Sequence, residues 1–183
     1  MTLVQSKPAV FFDRDDTLIK DCHYLKDPDL VTPIPGAIEG CKVLHDAGYC
    51  LIIVTNQSGI GRGLLTESDF LACQRRLIEL FGSNTLFSGH YFCPHHPTEA
   101  EPKYKIDCNC RKPKTGLLTQ AAKHHHIDLS GSFMVGDKLS DVEAGLNAGC
   151  RSILFNSSSR SNAAHAHAKS FDDIVSYILT ADD

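Results

Sequence analysis

No stretch of about 18 consecutive apolar residues occurs, so no segment is long enough to cross a bilayer as a helix. The N-terminus, MTLVQSKPAV, also lacks the extended apolar core of a secretory leader, and the expectation is a cytoplasmic protein. Lysine and arginine form no long run, and the formal net charge is −4. Neither nucleic acid nor a membrane surface is therefore expected as a partner, and any anionic substrate must be held by local charges. At 183 residues the chain can bury a core without disulfides but has little room for a second domain. One domain over 1–183 and a monomer are expected. The glycines of GIGRGL make no dinucleotide fingerprint, because Leu64 stands where the third glycine is required.

What is present begins with VFFDRDDTL, Val10 to Leu18, in which three apolar residues lead into Asp13 and Asp15. A short apolar run ending in acid reads as a buried parallel strand whose carboxyl end opens into the ligand crevice of an α/β sheet. Carboxylates two residues apart can share a divalent metal and divide nucleophile and acid–base duties. Taken alone, the pair is more readily a solvated acidic turn.

Lys20 to Pro35 is a long, proline-punctuated loop. Asp21, His23 and Tyr24 lie nearest the strand and can touch a substrate rim; a solvated loop anchored by Tyr24 reads equally well. Pro35 primes a helix with Ile38, Cys41, Val43 and Leu44 as its core stripe and Gly48 as its left-handed stop. YCLIIVT is a second buried strand, ending at Thr55 and Asn56 and followed by QSGIGRG. Thr66 and Asp69 cap a helix through about Phe81, with Leu71, Leu77, Ile78 and Phe81 toward the sheet. SGHYFC is a third strand. A helix from about Thr115 ends in His124 to His126, read as a solvated end because consecutive side chains on a helix diverge. SFMVGDKLSD supplies a fourth strand with Asp137 at its end and Asp141 four residues on. A helix closing at Gly149, a fifth strand RSILF, the polar loop NSSSRSNAAHAHAK and a helix capped by Ser170 complete the chain.

Cys93, His95, Cys108 and Cys110 form a CxH and a CxC pair, a complete tetrahedral zinc set that leaves no position for catalytic water. His96 is the alternative to His95, and four unrelated loop residues the plain alternative to a site. The residues between, about 93–110, are polar and include three prolines, so zinc would close a segment that buries almost nothing itself. Of Cys22, Cys41, Cys50, Cys73 and Cys150, most read as small core hydrophobes. Arg111 and Lys112 follow the last ligand. In isolation RKPK is solvated surface; delivered to the carboxylates, Lys112 could neutralise a transferred phosphoryl group, and Arg111 offers a planar fork for phosphate or hydroxyls.

Taken together, DxDxT at Asp13 to Thr17, Thr55 at a strand end, Lys112, and GDxxxD at Asp137 and Asp141 resemble, in order, the four motifs of the haloacid dehalogenase (HAD) superfamily of phosphohydrolases. Many members carry glycine where Asp16 stands. The resemblance spans about Ala9 to Phe155 and implies a doubly wound, three-layer α/β (Rossmannoid) sandwich with a mainly parallel sheet, a zinc-binding loop and no large cap domain. It implies that Asp13 attacks phosphorus and that Asp15 serves as acid and then base. Magnesium would be held by Asp13, Asp137 and the backbone carbonyl of Asp15, supported by Asp141, while Thr55, Asn56 and Lys112 bind phosphoryl oxygens. With no cap, substrate choice falls to loops, making Asp21, His23, Tyr24, Asn56, Gln57, Ser58, Arg111 and Lys138 substrate-binding candidates. The twelve residues between His95 and Cys108, with HYLKDP and TNQSGIGRG, are similar to the heptose bisphosphate phosphatases of the superfamily. That similarity implies a small sugar phosphate losing its 7-phosphate, in lipopolysaccharide core synthesis. Histidinol phosphatases are the alternative. A silent, zinc-stabilised binding module is the reading from another class, disfavoured by the intact Asp13, Asp15, Lys112 and Asp137.

Overall fold

Apolar runs separated by amphipathic stretches build a parallel sheet, because a helix between two strands returns the chain to the end from which it started. The computed structural model describes residues 6–82, 85–159 and 161–181. In it, β1 (Ala9–Phe12), β2 (Cys50–Asn56), β3 (Phe87–Cys93), β4 (Phe133–Gly136), β5 (Arg151–Phe155) and β6 (Ala166–Ala168) form one sheet in the order β3-β2-β1-β4-β5-β6. Every ladder is parallel. The helices are α1 (Ala37–Asp46), the single turn α2 (Ser58–Gly61), α3 (Glu67–Leu80), α4 (Gly116–His125), α5 (Leu139–Ala148) and α6 (Phe171–Thr180). From β1 the chain steps outward to β2 and β3, then returns to β4 on the other side of β1. The crevice at the carboxyl ends of β1 and β4 is thus the switch point of the topology, where open α/β sheets receive ligands.

Strand alternation divides the core into two layers. Val10, Phe12, Leu51, Ile53, Phe133 and Val135 pack beneath α1, α3 and α6. Ala9, Phe11, Ile52, Val54 and Met134 pack beneath α4 and α5. All are fully buried, which is why these strands read as continuous apolar runs rather than alternating ones. Phe171 of α6 ties the first layer together, its ring 5.5 Å from Phe155 and 6.1 Å from Phe12.

Several boundaries differ from the sequence expectation. β6 lies inside the polar run read as a loop: its inward residues are alanines, too small to register as an apolar strand, yet they pair with Ile153 and Phe155 of β5. Arg160 in that run, and residues 1–5 of the opening segment, lie outside the described residues. Pro35 stands outside α1, which starts from Gly36 at φ 80°. The buried positions of α1 are Ala37, Gly40, Cys41 and Leu44, an i, i+3, i+4, i+7 stripe, while Val43 is 46% exposed. In α3 the register shifts likewise: Leu71 is exposed, and Phe70, Cys73, Gln74 and Leu77 are buried. The capping boxes Thr66–Asp69 and Ser170–Asp173 both form, and Gly48 and Gly149 take the left-handed conformation expected of them. No helix among the described residues is long and apolar enough to cross a membrane.

Gly145 lets α5 lie close against the sheet. A Cβ there would overlap the Ser152 hydroxyl and stand 2.5 Å from Met134 Cβ. Gly145→Ala is expected to lower the unfolding free energy by about 1–3 kcal/mol through overpacking; an unchanged urea midpoint would contradict this helix–sheet spacing.

Candidate active site

Each of β1, β2 and β4 ends where its apolar run gives way to a polar residue, and the register brings those ends together. Asp13, directly after β1, donates its backbone N–H to the Val135 carbonyl of β4 at 2.9 Å. Its Oδ1 lies 2.8 Å from Lys112 Nζ, which also lies 2.6 Å from Asp141 Oδ1 and donates to the Val54 carbonyl at 2.8 Å. Lys112 is 3% exposed. Burial opposes its charge, but Asp13 and then Asp141 outweigh burial and hold the ammonium above its ordinary range. Asn56 fixes the backbone here: its amide donates to the Lys112 carbonyl at 3.1 Å and accepts from the Lys112 N–H at 3.0 Å. The Asn56 side-chain amide, expected to bind phosphate, thus also holds Lys112 in place.

The carboxylate oxygens of Asp13, Asp137 and Asp141 converge within 4.8 Å. Asp137 Oδ1 is buried with no hydrogen-bond partner among the described residues. Burial, and next the charge of Asp13, pushes Asp137 up to about 7. Three acids with one orphaned oxygen form a donor set suited to a hard divalent cation. Asp141 has both oxygens engaged: Lys112 takes one and the Lys138 N–H donates to the other at 3.1 Å. The Asp15 carboxylate is not part of this group. Its Oδ1 accepts from Arg14 Nε at 3.0 Å and Nη2 at 2.8 Å, and its Oδ2 from Arg14 Nη2 at 3.0 Å and Gln57 Nε2 at 2.7 Å. Any part of Asp15 in metal binding is left to its backbone carbonyl. Burial raises its proton affinity, Arg14 pulls it down, and Asp13 pushes it up again. Gln57 Nε2 also donates to Thr55 Oγ1 at 3.1 Å.

Beside Asp15 opens a cavity of about 200 Å³. Asp21, His23 and Tyr24 line it from the first loop, Asn56, Gln57 and Ser58 from the second, and Lys138 from the start of α5. Arg111, expected among them, is not: its Nη1 donates to the His95 carbonyl at 3.3 Å and braces the cysteine loop. Arg14, which sequence reasoning did not single out, takes a place on the wall. The available signal was a charged residue between two acids at the end of a fully apolar strand, where little water can reach it. Asp16 adopts φ 55°, the left-handed region open to aspartate, and its Oδ1 accepts from the Asp21 N–H at 3.0 Å. A residue there must turn the chain sharply, which accounts for an acid where glycine would also serve.

Cys93, His95, Cys108 and Cys110 meet at the other side of the β2 end. Cys110 Sγ lies 3.1 Å from Cys93 Sγ and from Cys108 Sγ, Cys93 lies 3.5 Å from Cys108, and His95 Nδ1 lies 3.4 Å from Cys110 and 3.8 Å from Cys93. Tetrahedral ligands about 2.3 Å from zinc would sit roughly 3.8 Å apart, so this set fits such an ion. The hydrogen bond between Cys93 and Cys110 pulls the Cys110 thiol down and pushes the Cys93 thiol up. His96 lies outside this group, and its Nδ1 accepts from the Glu99 N–H at 3.0 Å. The cysteine loop also grips α2. The Gln57 N–H donates to the Cys93 carbonyl at 2.8 Å, Glu101 N–H to the Gly61 carbonyl at 2.7 Å, and Arg62 pairs with Glu99 at 2.9 Å.

A family model for HAD-like hydrolases matches residues 109–181. A D-glycero-β-D-manno-heptose-1,7-bisphosphate 7-phosphatase of Yersinia pestis is 42% identical over 147 residues, 80% of this chain and 78% of that protein. The phosphatase of the same name from Pasteurella multocida is 46% identical over 143 residues, 78% and 77% of the two chains. An HAD-like phosphatase from Mesorhizobium loti superposes with a TM-score of 0.85 at 32% identity, over 96% of this chain and 87% of that one. D,D-heptose 1,7-bisphosphate phosphatase from B. bronchiseptica, complexed with magnesium and phosphate, shares the fold at a TM-score of 0.81 and 24% identity, over 95% and 99%. Fold, site and relatives define a phosphatase of the HAD class without a large cap. Within that class, the chain belongs to the D-glycero-β-D-manno-heptose-1,7-bisphosphate 7-phosphatase family.

Because the folded protein raises Asp137 from 3.8 to about 7, it binds that proton more tightly than the unfolded chain does. Without a divalent cation, stability is therefore expected to fall as pH rises through that window. A cation must displace the proton, so its affinity should strengthen with rising pH up to about 7 and level off above it. Calorimetric titration with a divalent cation at about pH 6 and about pH 8, in buffers of different ionisation enthalpy, should show proton release only at the lower pH. Equal affinity and no proton release at both would contradict the buried, crowded state of Asp137, whose pairing with Lys138 at 3.6 Å does not offset burial and the charge of Asp13.

Proposed function

We propose that this phosphatase removes the 7-phosphate of D-glycero-D-manno-heptose 1,7-bisphosphate and leaves heptose 1-phosphate, as a cytoplasmic, monomeric, single-domain enzyme in nucleotide-activated heptose and lipopolysaccharide core synthesis. The observation that carries the reading is Lys112 Nζ on Asp13 Oδ1 beside the Asp13, Asp137 and Asp141 cluster; the names of the relatives supply the substrate. Neither nucleic acid nor a membrane enters the reading.

One oxygen of Asp13 is held by Lys112, leaving the other to attack phosphorus. As that bond forms, the ester P–O bond breaks, and its electron pair stays on the sugar oxygen, which takes a proton from Asp15. Water then bonds to phosphorus while giving a proton back to Asp15, and the phosphorus bond to Asp13 breaks to release phosphate. Asp13, Asp137 and the Asp15 carbonyl would hold magnesium, which would supply charge neutralisation to the phosphoryl oxygens. Thr55 and Lys112 face that group. The primary ester enters end-on, since no large cap covers the site, and the sugar with its second phosphate rests against Asp21, His23, Tyr24, Ser58 and Lys138. Zinc on Cys93, His95, Cys108 and Cys110 has a structural part, fixing the loop from which Arg111 and Lys112 emerge.

The direct test compares kcat/KM for heptose 1,7-bisphosphate and histidinol phosphate and identifies the phosphate released. Preference for histidinol phosphate, or loss of the 1-phosphate, would overturn the assignment. Asp13→Asn is expected to fold but to lose turnover, and Asp15→Asn to lose about 10²–10⁴-fold in kcat for want of its proton. Purified Asp13→Asn with substantial turnover would refute the covalent route. Metal analysis should find about one zinc per chain, and Cys108→Ala should release it and open 93–110 to protease. Protein isolated without chelator and free of zinc would count against the structural metal.

A further inference from the structure

Arg14 carries a full charge into the protein at 2% exposure, where an isolated guanidinium is costly unless something specific receives it. It meets one anion, the carboxylate of its own neighbour, through three hydrogen bonds of 2.8 to 3.0 Å from Nε and Nη2. Phe70 supports the guanidinium from one side, with the ring centroid 5.0 Å from Cζ. The remaining nitrogen, Nη1, is buried without a hydrogen-bond partner among the described residues, so the group is not spread over a network but committed to Asp15. Adjacent residues of an extended strand point to opposite faces. Here the chain has already turned: the Arg14 carbonyl accepts from the N–H groups of Leu18 at 2.9 Å and Ile19 at 3.1 Å, and Asp16 is left-handed. The side chain can therefore fold back along the wall of the cavity onto Asp15.

We propose that Arg14 is a positioning residue for the known reaction class: its planar fork fixes the rotation and plane of the Asp15 carboxylate, so that Asp15 can protonate the departing ester oxygen. Gln57 completes the clamp by donating to Oδ2 at 2.7 Å. A planar guanidinium presenting parallel donors fixes a carboxylate in a way that a single ammonium does not. The inference rests on the acid–base part assigned to Asp15 above. It adds a residue that touches neither phosphate nor metal ligand oxygens and acts through its neighbour.

The test uses leaving groups. An alkoxide departs poorly without a proton, whereas nitrophenolate departs well without one, and kcat/KM reports the steps up to phosphoryl transfer to Asp13. Arg14→Met should lower kcat/KM for glycerol phosphate and heptose 1,7-bisphosphate by about 10²-fold but for 4-nitrophenyl phosphate by less than about tenfold. Arg14→Lys, which keeps the buried charge but loses the fork, should show the same asymmetry in a smaller loss; it decides the matter alone if the methionine variant does not fold. Equal losses on alkyl and aryl esters, or no loss on alkyl esters, would overturn the proposal. Absence of the asymmetry in Asp15→Asn would overturn it through the acid role itself. If the wild type ignores the heptose bisphosphate but the asymmetry persists on glycerol phosphate, the substrate assignment fails and the part given to Arg14 stands.

Discussion

The ammonium of Lys112, closed in between Asp13 and Asp141, is the contact on which the site depends. Its side chain and the two carboxylates are nearly inaccessible to water, at 1%, 6% and 2% exposure. Removing one member of such a set strands the others, which typically costs several kcal/mol. The geometry is therefore defended from several directions: Val54 accepts a third hydrogen bond from the ammonium, and Asn56 clasps both backbone groups of Lys112. A cation fixed this firmly lets three carboxylates share one small volume, in which Asp137 Oδ2 lies 3.6 Å from Lys138 Nζ and Oδ1 is left without a hydrogen-bond partner among the described residues.

The requirement to hold Lys112 explains the cysteine loop. A segment so polar and rich in proline cannot fix its own exit through apolar burial. Four side chains from its two ends converge within metal-binding distance beside the end of β2, and the last of them, Cys110, stands two residues before Lys112. The same loop anchors Gln57 through the Cys93 carbonyl, and Gln57 reaches Asp15. One structural centre thus sets both the cation beside the nucleophile and one of the donors on the acid. The two halves of the site, Asp13 with its metal cluster and Asp15 with Arg14, stay separate because each carboxylate has its own cation.

Much of this was legible in the sequence because buried parallel strands leave an unmistakable trace. The apolar runs ending at Asp13, Thr55 and Asp137 marked three strand ends, and topology then brought them together. The cysteine and histidine pairs were legible because ligand spacing is local. What was not legible depended on where side chains go after the strands end. Arg14 was not singled out and is buried against Asp15; Arg111 places one guanidinium nitrogen on the His95 carbonyl; Asn56 turns its amide to the Lys112 backbone. β6 escaped because two alanines against β5 suffice for an edge strand. The helix stripes shifted by about one residue at Val43 and Leu71 because packing against a twisted sheet, rather than apolar content, selects the inner face.

The account stands or falls on Asp13 being the group that receives phosphorus while Lys112 keeps hold of its other oxygen. A crystal structure of the enzyme with magnesium and beryllium fluoride, which mimics a phosphorylated carboxylate, tests this most directly. The account requires beryllium bonded to the free oxygen of Asp13, with Lys112 Nζ still on Oδ1, the metal at Asp13 and Asp137, and the Asp15 carboxylate still gripped by Arg14. Beryllium on Asp15 or Asp137, or Lys112 displaced from Asp13, would contradict it.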